Sequence, residues 1–528
     1  MLGLHEGTGS QQILRGGAVA TRGFSRLFGL ALIFIVVSCG GGGSSSGGSS
    51  SGGSSSGGSS SGGGASGAQA SATANPQTVN APTGGLCSGV SVTNSKVLVN
   101  YSPLAKPAVG VAVTDPDFGV TIRRITDAQN NWSMNVAVPA YPTIAAWNAD
   151  ESYLVLYATC NLANSASCPA NAPGPGWALF NGKTYQFIRW LAINPADIEQ
   201  FYWDHSNADV MYYVDATTMV LTSFSVSANA PLAQLHNFAN DVTNGGVLAS
   251  ACNYQGTGAP TLVSGGEDPF FMSQNNDLIG LGCATNYVDP ASGSTDFVGF
   301  TYRISTNTIS LPGILAPAVV PQATPSGNNA WFYGLTAPAT GQVLSTADNS
   351  VVRSVTLDGT QHSDMLMNAA GQDVVGAAQY DGPGDNGSLI IANLDTGVVS
   401  TIIGGNTGDP YPPSGTLISG RATQAPGWFG VSATGNINVV QTYLDQEVML
   451  VNVDTMEMCR VAHHRSTGNW DNAAISNYWA QPNATTSPSG TRILFASDWG
   501  AGTPGNSVTA SPYAVVDTYV IELPGYVP

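Results

Sequence analysis

An all-β, seven-bladed propeller is the fold that three features of this sequence predict. Charged residues are scarce, 9% of 528, where an average soluble domain has about 25%. The interior of the chain is rich instead in Val, Thr, Ile, Tyr, Gly and Asn, the residues of strands and turns. The third feature is a recurring ten-residue pattern: a strand, a Gly/Asn/Asp turn, then a second aliphatic strand.

The copies run in order along the chain. Tyr141–Asp150 reads YPTIAAWNAD and is followed by ESYLVLYA. Phe201–Val214 (FYWDHSNADVMYYV) is a looser copy with one extra turn residue. Asp268–Asp277, Phe332–Gly341, His362–Gly371, Pro426–Gly435 and Gln481–Gly490 complete a set of seven. A third strand often follows, as at Ser388–Leu394, Glu447–Val453 and Ala514–Leu523, and then a fourth, as at Gly397–Ile403 and Met458–His464. Four antiparallel strands repeated in this way close into a propeller. The last copy lacks a fourth strand after Leu523, and Gly119–Thr126 (GVTIRRIT) is a fourth strand with no blade before it. The N-terminal strand is therefore expected to complete the C-terminal blade and remove two exposed sheet edges. The copy SPSGTRILFASD resembles the Ser-Pro-Asp-Gly repeat of bacterial periplasmic propellers, with Ser489 in place of Asp.

Composition also excludes function classes. Three Lys in the whole chain do not make a helical bundle or a coiled coil. A net charge of −18 repels a phosphate backbone, so no nucleic-acid partner is expected. The head is expected to be a monomer.

The first 39 residues read as an address. Arg15, Arg22 and Arg26 precede an apolar run from Leu27 to Val37, too short to span a bilayer and of signal-peptide length. Val36, Val37, Ser38 and Cys39 then resemble the lipoprotein box of bacteria. That resemblance implies a lipid on Cys39 and a membrane partner. With Gly40 rather than Asp next, it implies the outer membrane or cell surface. Residues 40–84 are a Gly/Ser-rich tether, and 85–528 form the head. As a random coil the tether spans roughly 25–40 Å. The six Cys of the head suit an oxidising compartment and up to three disulfides, with fifteen connectivities open and Cys160–Cys168 the natural local pair.

Candidate chemistry follows from the repeat. Alternate strand residues share a face, so His362 and Asp364 point together at the start of one innermost strand, and Gln481 and Asn483 at another. Tyr141/Thr143 and Asp268/Phe270 occupy the aligned positions. A second feature is RVAHHR, from Arg460 through His463 and His464 to Arg465, which enters the loop Ser466–Ala480 with Trp470, Asp471 and Trp479. Asp498 and Trp499 end the next strand on the same side. Arg pairs with carboxylates and Trp stacks on sugars. These residues are thus expected to form one channel mouth: His362, Asp364, His463 and His464 catalytic, and Arg460, Arg465, Trp479, Asn483, Asp498 and Trp499 binding substrate. His205 is expected in a solvated turn and His236 in a structural role. Asp381–Ser388 (DGPGDNGS) does not have EF-hand spacing.

WAQPNA followed by SPSGTRILFASD resembles oligogalacturonate lyases, seven-bladed propellers that hold a divalent metal through Gln and His. The resemblance implies Gln481 as a metal ligand. Asn483 and Thr485 stand where the family has His. It also implies a lyase reaction in which His takes the proton α to a uronate carboxylate, and Arg or a metal neutralises the resulting charge. The other reading is a non-catalytic surface propeller that binds a glycan or a protein at the same mouth.

The anchor is directly testable. Cys39→Ala is expected to release the head from membranes or to block its processing. Membrane retention at unchanged mass would reject lipidation.

Overall fold

The computed structural model describes residues 85–528 apart from 94–95, 161–167, 169, 244, 253–271, 289–294, 311–321, 334–339, 358–359, 380–387, 405–415, 436–442, 467–477 and 501–514. The expected signal peptide with Cys39 and the tether lie outside these residues, as do Asp268, Phe270, Trp470, Asp471 and most of Asp381–Ser388.

Seven antiparallel sheets follow one another along the chain and form the blades of a propeller. Blade 1 comprises Val136–Val138, Tyr153–Thr159, Gly176–Asn181 and Phe187–Trp190. Blade 2 comprises Phe201–Trp203, Val210–Val214, Val220–Ser225 and Ala230–Asn237. The described strands of blade 3 are Leu278–Val288, Thr295–Arg303 and Thr308–Ser310. Blade 4 runs from Gln322–Ala323 through Asn329–Tyr333 and Thr340–Ser345 to Val351–Thr356. Blade 5 runs from Thr360–Met367 through Asp373–Gln379 and Leu389–Asn393 to Val399–Ile403. Blade 6 contains Thr416–Ser419, Trp428–Ala433, Glu447–Asn452 and Met458–His463, with Val92–Thr93 added outside. Blade 7 contains Thr485–Thr486, Arg492–Ser497 and Asp517–Glu522, and is finished by Thr121–Arg124 and Ala112–Thr114.

The closure is as expected: Thr121–Arg124 pairs antiparallel with the last strand, Ile122 opposite Ile521. Three repeat copies, Phe201–Val214, His362–Gly371 and Gln481–Gly490, fall on the first and second strands of their blades; Tyr141–Asp150 follows the inner strand of blade 1, and the start of Asp268–Asp277 lies outside the described residues. Two are displaced by one strand. Asn329–Tyr333 and Thr340–Ser345, in the copy expected to open blade 4, are its second and third strands. Trp428–Ala433 is likewise the second strand of blade 6, paired with Thr416–Ser419 on its inner side.

Strand alternation sends apolar residues to both sides of each blade, so the core is a set of inter-blade layers. Phe429 and Val431 of blade 6 pack with Val374 and Ala378 of blade 5. Gly376 lies in that layer because a Cβ there would meet the Phe429 ring at 2.9 Å.

Polar bonds lock the blades together where each inner strand turns into the second. Asn148 Nδ2 donates to Ala208 O (2.7 Å) between blades 1 and 2, and Asn276 Nδ2 to Asp204 Oδ1 (2.9 Å) between 2 and 3. Gln274 N donates to Pro325 O (2.8 Å), Ser326 Oγ to Asp373 Oδ2 (2.6 Å) and Gly427 N to Met367 O (2.9 Å) across the next three interfaces. Gln424 N to Pro488 O (2.8 Å) and Ser489 N to Glu151 Oε1 (2.7 Å) complete the circle. The six Cys of the head pair as Cys87–Cys459, Cys160–Cys168 and Cys252–Cys283. The first ties the N-terminal segment to the outer strand of blade 6.

Candidate functional site

Blade 1 departs from its neighbours on the inner strand. Residues 139–145 leave the ladder and turn, with Ile144 N bonded to Tyr141 O (3.0 Å), and Thr485 Oγ1 of blade 7 donates to Ile144 O (3.1 Å). The excursion carries Tyr141 across the channel to blade 5, where its hydroxyl meets His362 Nδ1 at 2.9 Å. Blades 1 and 5 are not neighbours, so this bond spans the channel. His362 sits at a register shift between Gln361 and Asp364 with φ 49°. A left-handed non-glycine residue at a bulge is a strained position of the kind found at functional sites.

Asp364 does not share the role expected of it. Its carboxylate is buried and grips Arg421 of blade 6 in a fork, Nη2 to Oδ1 at 2.6 Å and Nε to Oδ2 at 3.1 Å. Gly420 N also donates to Oδ2 at 2.6 Å. Burial raises the Asp364 pKa to about 6 against the pull of Arg421. His205 is not a freely solvated turn residue either. It lies near Arg421, and burial together with that charge lowers its pKa to about 4. Arg421 was not singled out from the sequence, where it is a lone Arg in a Gly-flanked segment with no motif.

Two oxygens on this lining lack partners. Thr143 Oγ1 and Asn483 Oδ1 are buried without a hydrogen bond, on residues only 1% and 2% exposed. Gln481 is also buried. On the face where inner strands begin, Trp479 is half-buried and stacks on Tyr157, centroids 5.8 Å apart. Asp197 lies close enough to Tyr157 to help burial push the phenol up to about 12. Burial raises the Asp197 carboxyl as well. Asp197, Glu199 and Gln200 precede the inner strand of blade 2 and were missed in the sequence, where a Pro-containing loop with two acids carries no signature.

The basic segment is placed elsewhere than expected. Arg460 is fully buried in a fork with Glu447 (2.5 Å to each oxygen) and donates to Val97 O (2.6 Å). Arg465 donates to Ser102 O (2.7 Å) and pairs with Asp115 (3.4 Å) beneath the Tyr101 ring. His463 meets Asp117 at 3.1 Å and packs on Tyr101 and Phe118. His464 faces the other way, to Ala433 O at 2.8 Å, and accepts from Ser466 N. Trp499 is buried, bonded to Leu104 O (2.9 Å) and stacked on Tyr519. Asp498 is buried beside it and accepts from Gly500 N. The expected overhang of the mouth is therefore corrected. In an acidic chain these scarce cations are drawn into carboxylate pairs under the segment 97–118, which seals blades 6 and 7. His236 is structural as expected, bonded to Asp241 at 2.6 Å between Phe238 and Tyr302.

The metal expectation rests on Gln481. Among the described residues no three His, Cys, Asp or Glu side chains come together. Asn483 and Thr485 follow Gln481, and Thr485 Oγ1 is already bonded to Ile144 O. The described donors do not fit a divalent centre.

These features define a propeller closed by its N-terminal strand, with a Tyr–His bond across its channel. The chain is similar in fold to an oligogalacturonate lyase in complex with manganese, at TM-score 0.51 and 12% identity over 78% of this chain and 96% of that one. It is similar to an oligogalacturonate lyase from Vibrio parahaemolyticus at TM-score 0.50 and 11% identity, over 78% and 96%. At these identities the likeness is one of fold. No family model matches the chain, and no curated protein matches it.

The buried imidazoles set the acid limb of stability. Burial lowers the His464 pKa to about 4, whereas an exposed His ionises near about 6.5. As pH falls between those values the unfolded chain takes up protons first, so stability is lost. His205 adds to this loss. Asp364 opposes it, because its raised pKa makes the folded state bind its proton first between about pH 6 and 4. His464→Gln is expected to flatten the decline between about pH 6.5 and 4 by on the order of 3 kcal/mol, read from denaturant unfolding. An unchanged slope would show that His464 is not held neutral.

Proposed function

We propose that this protein is a lipid-anchored propeller of the bacterial cell envelope that binds a glycan at the mouth of its central channel. The observation that carries the reading is the Tyr141–His362 bond at 2.9 Å across the channel. Two tautomers satisfy it: the phenol donates to Nδ1, or the imidazole donates to the phenol oxygen. The pair therefore presents a donor or an acceptor to a sugar hydroxyl and can pass a proton along its length. Thr143 and Asn483 add buried oxygens without partners on the same lining, and Trp479 on Tyr157 adds an aromatic surface at the rim. The solved structures of similar fold are oligogalacturonate lyases, which agrees with a glycan as the class of ligand. The Gly/Ser tether would hold this mouth clear of the membrane.

Tyr141→Phe and His362→Ala are each expected to weaken glycan binding roughly 3- to 10-fold, the worth of one hydrogen bond, measured by calorimetry against a glycan panel. If bond cleavage accompanies binding, turnover falls further than affinity. Unchanged affinity in both folded variants would remove the channel mouth as the site.

A further inference from the structure

Among the described residues no Lys or Arg stands in the channel without a carboxylate partner. All twelve Lys and Arg residues after Cys39 lie among the described residues. Eight of them are ion-paired with Asp or Glu. Four of these lie in or just after strands of blades 6 and 7, Arg421 with Asp364, Arg460 with Glu447, Arg465 with Asp115 and Arg492 with Glu151, all at least nine-tenths buried. Arg421, which follows the inner strand of blade 6, donates to both Asp364 oxygens and to Met365 O. Elsewhere lie Lys96 in the N-terminal segment, which has a partner of its own, Lys183 in an outer turn, and Arg189 and Arg353 on the outer strands of blades 1 and 4.

What the mouth offers instead is neutral or acidic. Asn483 Oδ1 accepts hydrogen bonds and cannot donate. A hydroxyl or an ammonium group would donate to it. Thr143 Oγ1 is a second buried group on the same lining without a partner. Buried polar atoms in folded proteins are almost always bonded, so exceptions on a channel wall point to a missing partner. Asp197 and Glu199 precede blade 2, and the head after Cys39 carries a net charge of −20. Sugar faces stack on Trp whether charged or not, so Trp479 does not discriminate, and the hydrogen-bonding groups decide.

We infer that the channel mouth takes a neutral or amino-bearing sugar and not a uronate. The inference rests on the glycan reading above and narrows it. It also removes β-elimination as the chemistry of this site, because that reaction needs a uronate carboxylate to acidify the neighbouring proton and a positive group to hold the charge that develops.

The test is calorimetric binding of the processed head to neutral cello- and manno-oligosaccharides, a deacetylated chito-oligosaccharide and oligogalacturonate, in chelator and again with Mn²⁺. The inference expects a neutral or amino oligosaccharide to bind at least about tenfold more tightly than oligogalacturonate in both buffers. Asn483→Leu should weaken that binding about 3- to 10-fold without lowering Tm, since it replaces an unpartnered buried amide. Thr143→Val is the second probe should Asn483→Leu fail to fold. Oligogalacturonate binding as tightly as the neutral sugars, with or without Mn²⁺, overturns the inference and leaves the glycan reading standing. Absence of binding to every member of the panel overturns both.

Discussion

Thr121–Arg124 pairs with Asp517–Glu522 across nearly the whole length of the head, with Arg123 and Glu522 399 residues apart. Without that pairing blade 7 ends after three strands and its outer edge faces water, an open template for association. Each further contact at the seam presupposes it. Arg123 forks onto Glu522, while Arg124 and Lys106 converge on Asp517, which also accepts from Thr126 Oγ1 and Ala128 N. The chain that precedes the strand then lies over blades 6 and 7, fixed by the Cys87–Cys459 bond and by Arg460 and Arg465. The basic segment is a clasp for the closed ring, and this is why it is unavailable to a ligand.

A closed ring makes the channel a place where distant residues meet. Each blade interface carries a polar bond at the inner turn, and Gln424 Nε2 reaches past blade 7 to Ala149 O, so the passage is narrow at that end. Further along, the excursion of blade 1 lets Tyr141 touch His362. Rigid neighbours on all sides are what hold His362 in its left-handed conformation, since the strain is sustained only where the surroundings determine it. The same packing puts Asp364 and Arg421 out of reach of solvent, and their fork joins blades 5 and 6 rather than serving a ligand.

Much of the architecture was legible in the sequence because a propeller writes one strand–turn–strand unit seven times. The two displaced copies show the limit of that signal. The copies Phe332–Gly341 and Pro426–Gly435 begin on second strands, yet they read as well as copies that begin on first ones. Alternation with a period of two does not say which strand is innermost. The site was legible in part. His362 stood out as a rare residue at a strand start, and Tyr141 and Thr143 were aligned with it by the repeat. That Tyr141 would cross the channel depends on a backbone excursion and on channel width, neither of which spacing encodes. The cluster RVAHHR misled because local charge density does not reveal the partners that Asp115, Asp117 and Glu447 supply from distant parts of the chain.

Ring closure is best tested by hydrogen exchange on the processed head, comparing amides of Thr121–Arg124 with those of Asp517–Glu522 and Arg492–Ser497. If the N-terminal strand closes the ring, all three sets lose protection together, at the free energy of global unfolding. Rapid exchange at Thr121–Arg124, with Asp517–Glu522 and Arg492–Ser497 still protected, would contradict the closure and the account built on it.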